Sequence, residues 1–224
     1  MCARFAFFSM NIQRDVFGID PIPDFTPHWN IAPTDFVAAI SVDKGKRVWR
    51  FYQWGLVPGW AKDMSIGQKL INARCETVAE KPSFRSAIKR RRCVIPADGF
   101  YEWKGPKGSK QPYFIRKRSK QPLALAGMWE YWEGNEGVVE SCTILTSEPN
   151  AMMAEVHNRM PVILGKSQID SWLNPRIQDF NSLRAVCEPY PSDLMEMYPV
   201  VKAMSNPRFD SPEAVEPIPP TTLF

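Results

Sequence analysis

Apolar side chains alternate with polar ones, or run together for a few residues, along most of this chain, and the three-and-four spacing of an amphipathic helix is rarer. Strands are predicted at residues 4–8, 36–42, 47–57, 92–103, 113–118, 123–131, 138–145 and 160–164. Between two of them, residues 104–112 include Gly105, Pro106 and Gly108, so a hairpin is expected whose first strand ends in Phe100-Tyr101-Glu102-Trp103. Helical patterns are short, at 11–17, 83–91, 149–156 and 167–173, with Ser83 and Ser167 as candidate N-caps and Pro149 in a first turn. After Ser205 the chain, with four prolines from Pro212 onward, reads as extended. The pattern predicts a β-rich α+β fold: an antiparallel or mixed sheet curled like a barrel, with short helices at its flanks.

Length supports one domain across residues 1–224, with a tail from 206 to 224, because no Gly/Ser-rich or low-complexity stretch divides the 224 residues. There is no apolar run of about 18 residues. The opening MCARFAFFSMNIQRD lacks the basic flank and cleavage site of a signal peptide, so a soluble cytoplasmic protein with no membrane partner is expected. Five scattered cysteines and two histidines, His28 and His157, predict neither a metal site nor a disulfide framework, and no cofactor. The net charge of +4 is unevenly spread: the first 120 residues hold 22 of the 28 Lys and Arg but only 10 of the 24 Asp and Glu. That implies a basic face and a polyanionic partner. The run Lys89-Arg90-Arg91-Arg92 equally suits the solvated carboxyl end of a short helix.

Five positions, in four places along the chain, carry candidate chemistry. Loss of the initiator methionine would leave Cys2 with an α-amine and a thiol on one residue. Such an amine titrates near about 8, against about 10.4 for lysine, so at neutral pH it can attack an aldehyde unaided, and the thiol can then close a five-membered thiazolidine. The plain alternative is a small apolar residue in a first strand. Asn72 and Arg74 are two apart and project from one face of an extended stretch, either lining a site or facing solvent. Glu102 sits among three aromatics, where partial burial would suit a general acid and base, or else at a solvated strand end. His157 lies where a helix gives way to a strand, a position that also suits a simple helix cap.

Together, MCARF at the start, NIAP at 30–33, WGLVPGW at 54–60, INARCET at 71–77, PADGFYEW at 96–103 and HNRMP at 157–161 resemble the SRAP family in order and spacing, across residues 2–205. The resemblance implies a monomeric, single-stranded-DNA-binding protein of the DNA damage and SOS response, working at the nucleoid and replication fork. It further implies a covalent crosslink between the mature Cys2 and the ring-opened aldehyde of an abasic site. Met1 would leave by aminopeptidase action or self-processing. Carried over by motif, Cys2, Asn72, Glu102 and His157 form the catalytic set. Arg4, Arg74 and Arg159 would neutralise phosphates, Arg85 and Lys89 would extend the basic path, and Pro33, Trp60 and Trp103 would support flanking bases, though Trp60 and Trp103 also suit core packing, as Trp54 does. Two positions depart from the family: Ala3 replaces a usual glycine after the cysteine, and Ala61 follows Trp60 where some members have a second tryptophan. A thiol hydrolase using Cys2 and His157 and a non-catalytic single-strand binder are the alternatives.

Overall fold

The computed structural model describes residues 2–9, 13–20, 22, 25–106, 108–135 and 137–219. Its strands are β1 (Phe5–Phe7), β2 (His28–Ile31), β3 (Phe36–Asp43), β4 (Lys46–Trp54), β5 (Asn72–Arg74), β6 (Arg92–Ala97), β7 (Gly99–Lys104), β8 (Gln111–Lys117), β9 (Leu123–Gly134), β10 (Gly137–Ser147), β11 (Met160–Pro161) and β12 (Met195–Pro199). Among the described residues four α-helices accompany them: α1 (Gln13–Phe17), α2 (Ala87–Arg90), α3 (Ala151–Ala154) and α4 (Lys166–Leu173). The barrel expected from the sequence is present: β10, β4, β3, β6 and β9 pair in turn, and β9 pairs back to β10. Short β5 and β11 attach to the far half of β10, β5 in parallel and β11 antiparallel. A second sheet runs β12-β8-β7-β1-β2 and includes the predicted hairpin, with Lys104 opposite Gln111.

The two sheets share a core. Phe5 of β1 meets Trp54 of β4 edge-on at 5.1 Å, and Phe7, Phe100 and Ile115 of the second sheet join Tyr52, Ile95, Leu125 and Ile144 of the barrel in one buried cluster. A single strand over 92–103 is corrected: the chain leaves the barrel at Ala97 and enters the second sheet at Gly99. Buried Asp98 makes this corner, accepting hydrogen bonds from the Phe8 and Ser9 backbone amides and the Ser9 hydroxyl. Gly99 follows because a Cβ there would lie 2.3 Å from the Phe114 ring and 2.6 Å from the Ile115 carbonyl oxygen.

α2 and α3 are shorter than the pattern suggested, whereas α4 matches it and starts one residue earlier, at Lys166. Ser86 and Gly165, rather than Ser83 and Ser167, occupy the N-caps of α2 and α4, and Asn150 caps α3 through the Met153 amide at 2.9 Å. Residues 11 and 12 of the first predicted helix lie outside the described residues. Arg92 is not solvated: its buried guanidinium donates to the Ile88, Lys89, Trp172 and Asn174 carbonyls at the ends of α2 and α4. Nor is the disulfide expectation met in full. Cys75, just after β5, is joined to Cys187 at the end of a 3₁₀ segment, Phe180–Cys187, with Cα atoms 6.1 Å apart, while Cys2, Cys93 and Cys142 are free and buried. Beyond Ser205 the chain docks rather than trailing away. A 3₁₀ turn, Pro212–Val215, buries Ala214 and Val215 against Ala6, Tyr101 and Phe114, and Pro217 bridges to Val200.

Candidate active site

The four candidate catalytic residues arrive from four separate segments, Asn72 on β5, Glu102 on β7, Cys2 just before β1 and His157 in the turn after α3, and converge. In the second sheet Phe5 pairs with Phe100, and the Tyr101 amide donates to the Arg4 carbonyl at 3.0 Å, so the start of the chain runs antiparallel beside Glu102. Cys2 is fully buried there, and Glu102 is 4% exposed. From the barrel side, β5 lies along β10 with Asn72 opposite Ile144, and Asn72 Nδ2 donates to the Cys2 carbonyl at 2.8 Å. Its other amide atom, Oδ1, is buried without a hydrogen-bond partner among the described residues. His157 closes the turn after α3, its amide donating to the Met153 carbonyl at 2.9 Å, just before β11 pairs Met160 with Ser147. β10 is thus the common platform for Asn72 and for the His157 turn.

Electrostatics tie the cluster together. Burial, reinforced by the Glu102 carboxylate, pushes the Cys2 thiol up to about 12 from 9.0. The thiol is therefore protonated at neutral pH. Burial holds the His157 imidazole below its ordinary 6.5, and the Glu102 charge partly opposes that shift. Neutral His157 is oriented by the Arg159 amide, which donates to Nδ1 at 3.0 Å. The Arg159 side chain, mostly buried, grips Glu76 with two bonds of 2.9 Å and the Thr146 carbonyl at 2.6 Å. Burial works against the Glu76 charge, but the Arg159 hydrogen bonds, its own backbone amide and the Arg159 and Arg74 charges together hold that carboxyl below its usual range.

The expected DNA-facing residues divide into two groups. Arg74, Arg85, Lys89 and Trp60 are exposed, Trp60 at 59%, with its indole nitrogen donating to the Pro82 carbonyl at 3.4 Å. Pro33 is half-buried beside Thr34, whose φ of 79° is rare for a β-branched residue; the Thr34 amide bonds the Trp54 carbonyl at 2.8 Å. The others have structural partners. Arg4 donates to Asn30 Oδ1 at 2.9 Å, Trp103 packs on the cluster that holds Ala6, Tyr101 and Phe114 and donates to Ser205 Oγ at 2.9 Å, and Arg159 holds Glu76. Trp54 lies in the core, as expected. Sequence reading missed the supporting shell: Glu76, and Asn30, whose amide ties down the carbonyls of Met204, Asn206 and Phe209. Both sit inside quoted motifs, but nothing in a motif says which residue it will grip.

Among the described residues no cluster of His, Cys, Asp and Glu is disposed to hold a metal ion, and no helix is long and apolar enough to cross a membrane. A closed barrel flanked by a second sheet, with a buried cysteine at the start of the chain beside Asn, Glu and His, defines a specific class of fold and site. The chain belongs to the SOS response associated peptidase (SRAP) family, whose model matches residues 1–207. It is 43% identical over 223 residues to the abasic site processing protein YoqW of Bacillus subtilis, covering 96% of this chain and 99% of that one. It is 32% identical over 201 residues to the abasic site processing protein HMCES of Gallus gallus, covering 79% of this chain and 59% of that protein. A crystal structure of a protein from Bacteroides thetaiotaomicron superposes with a TM-score of 0.82 at 24% identity, covering 97% of this chain and all of that one, and it shares the fold.

Proposed function

We propose that this protein processes abasic sites in DNA, and that it does so by crosslinking single-stranded DNA through Cys2 once Met1 is removed. The observation that carries the proposal is the convergence of Cys2, Asn72, Glu102 and His157, supported by similarity to abasic site processing proteins. The α-amine of Cys2 adds to the aldehyde of the ring-opened sugar, and loss of water gives an imine. The Cys2 sulfur then bonds to the imine carbon while its proton passes to the imine nitrogen, closing the thiazolidine; one water is released overall. Glu102 is the proton carrier for both steps, and Asn72 holds the Cys2 carbonyl and offers Oδ1 to the new amine. His157 serves ring opening of the sugar and, in reverse, protonates the departing group.

The high thiol pKa favours this order of events over acyl transfer, because a cysteine hydrolase needs its thiolate first and here burial and Glu102 act against one. Met1 leaves by aminopeptidase action or by the self-processing that the family's peptidase name suggests. Exposed Arg74, Arg85 and Lys89 neutralise phosphates and Arg4 and Arg159 add charge close to the cysteine, while Trp60 and Pro33 support the flanking bases and Trp103 braces the wall behind Glu102. We infer a monomer within the cytoplasm. The test is denaturing electrophoresis of Met1-processed protein with single-stranded DNA carrying one abasic site. A heat-resistant band with lesion DNA, absent with intact DNA, is expected. Its absence from protein verified by mass spectrometry to begin at Cys2 would overturn the proposal.

A further inference from the structure

Glu76 lies outside the catalytic set, yet it connects two of its members. It follows β5, the strand of Asn72, and its carboxylate is closed on both terminal nitrogens of Arg159 at 2.9 Å each. The same guanidinium donates to the Thr146 carbonyl at 2.6 Å, which also accepts the Cys75 amide at 2.9 Å. The Arg159 side chain is thereby fixed against β10 and β5, and its backbone amide is delivered to His157 Nδ1 at 3.0 Å. A ring nitrogen that accepts a backbone N–H cannot carry the proton itself, so the neutral imidazole has its proton on Nε2.

We propose that Glu76 is a positioning residue: acting through Arg159, it sets the tautomer of His157 so that Nε2 is the edge that exchanges protons in the reaction. The role of His157 in that reaction rests on the functional reading above; the tautomer itself does not. Without the Glu76 carboxylate, Arg159 loses a two-point anchor, the 157–159 turn loosens, and the Nδ1 contact is no longer enforced.

Imidazole ¹⁵N spectroscopy on the full chain tests this directly. Only His28 and His157 contribute, and His28→Gln assigns them. In the unaltered protein, above the titration of His157, Nδ1 is expected to show the shift of an unprotonated nitrogen and Nε2 that of a protonated one. In Glu76→Gln the two shifts move toward a mixture of tautomers, and the crosslinking rate falls roughly tenfold with no loss of intact-DNA affinity. Combining Glu76→Gln with Arg159→Met should cost no more than Arg159→Met alone, since both remove the same linkage. A proton on Nδ1 of His157 in the unaltered protein overturns the proposal, and so does an unchanged tautomer in folded Glu76→Gln. Should Glu76→Gln fail to fold, the spectrum of the unaltered protein decides. Failure of the unaltered protein to crosslink abasic DNA would instead sink the functional reading and leave the tautomer measurement standing.

Discussion

Replacing Glu102 by glutamine removes a charge that bears on Cys2 and His157 at once, with opposite consequences for catalysis and titration. The carboxylate favours imidazolium and disfavours thiolate, so its loss lowers the His157 pKa still further and lowers that of Cys2 from about 12. Both shifts are readable by NMR titration. On the proposed mechanism crosslinking nevertheless slows, by about 100-fold or more, because its proton carrier would be gone, with residual reaction through water. A folded Glu102→Gln with an undiminished rate would remove Glu102 from the mechanism. Cys2→Ala is expected to lose the heat-stable band and keep intact-DNA affinity within about twofold, since a methyl cannot close the ring and the phosphate contacts lie elsewhere. Cys2 also leaves a mark on stability. Between pH 9 and about 12 the unfolded chain gives up the thiol proton before the folded chain does, so stability is full below 9 and declines through this window. Melting temperature against pH should therefore fall less steeply in Cys2→Ala than in the unaltered protein.

At the scale of elements, the corner at Asp98 and Gly99 determines where Glu102 can be. A methyl at Gly99 meets the Phe114 ring and the Ile115 carbonyl at under 3 Å, and neither can retreat, one being core and the other ladder backbone. Gly99→Ala should cost about 1–3 kcal/mol in urea denaturation, the usual price of overpacking, and a neutral result would mean that β7 and β8 separate easily. This corner was not legible in the sequence, where residues 92–103 form one apolar run. The switch between sheets depends on Asp98 finding the amides of Phe8 and Ser9, some 90 residues earlier in the chain. β2 and β12 escaped for a related reason. Asn30 interrupts the apolar pattern of β2 with a buried amide whose partners are the carbonyls of a segment far along the chain, and Met195–Pro199 has no deeply alternating face. The barrel strands and the 104–112 turn were legible because their period is local. The four candidate catalytic positions were nominated by motif order, whereas the Glu76 to Arg159 linkage needed the fold.

For the whole molecule, two long-range features make separable predictions. The Cys75–Cys187 bond spans 112 residues, and a closure of that size is worth up to about 4–5 kcal/mol in chain entropy, so reduction or Cys187→Ser should lower the melting temperature by roughly 5–15 °C. An unchanged melting temperature would show that the bond adds nothing to the fold. The second feature is charge, and its effective size is smaller than the count suggests. Of the basic tetrad, Arg91 pairs with Glu130 at 2.5 Å and Arg92 is sealed among carbonyls, while Arg159 is matched by Glu76; none of these can release many counterions. Exposed Arg74, Arg85 and Lys89, with half-buried Arg4, leave about four of the proposed phosphate contacts. For single strands the slope of log affinity against log salt is about −0.7 per phosphate, so about −3 is expected, and Arg74→Ala should flatten it by about 0.7. Fluorescence anisotropy over a salt series measures both. Ring closure involves no phosphate, so the slope for encounter must be the same on intact and abasic strands. A steeper slope on lesion DNA would mean that the lesion recruits basic residues the free protein keeps paired, with Arg159 the first to examine.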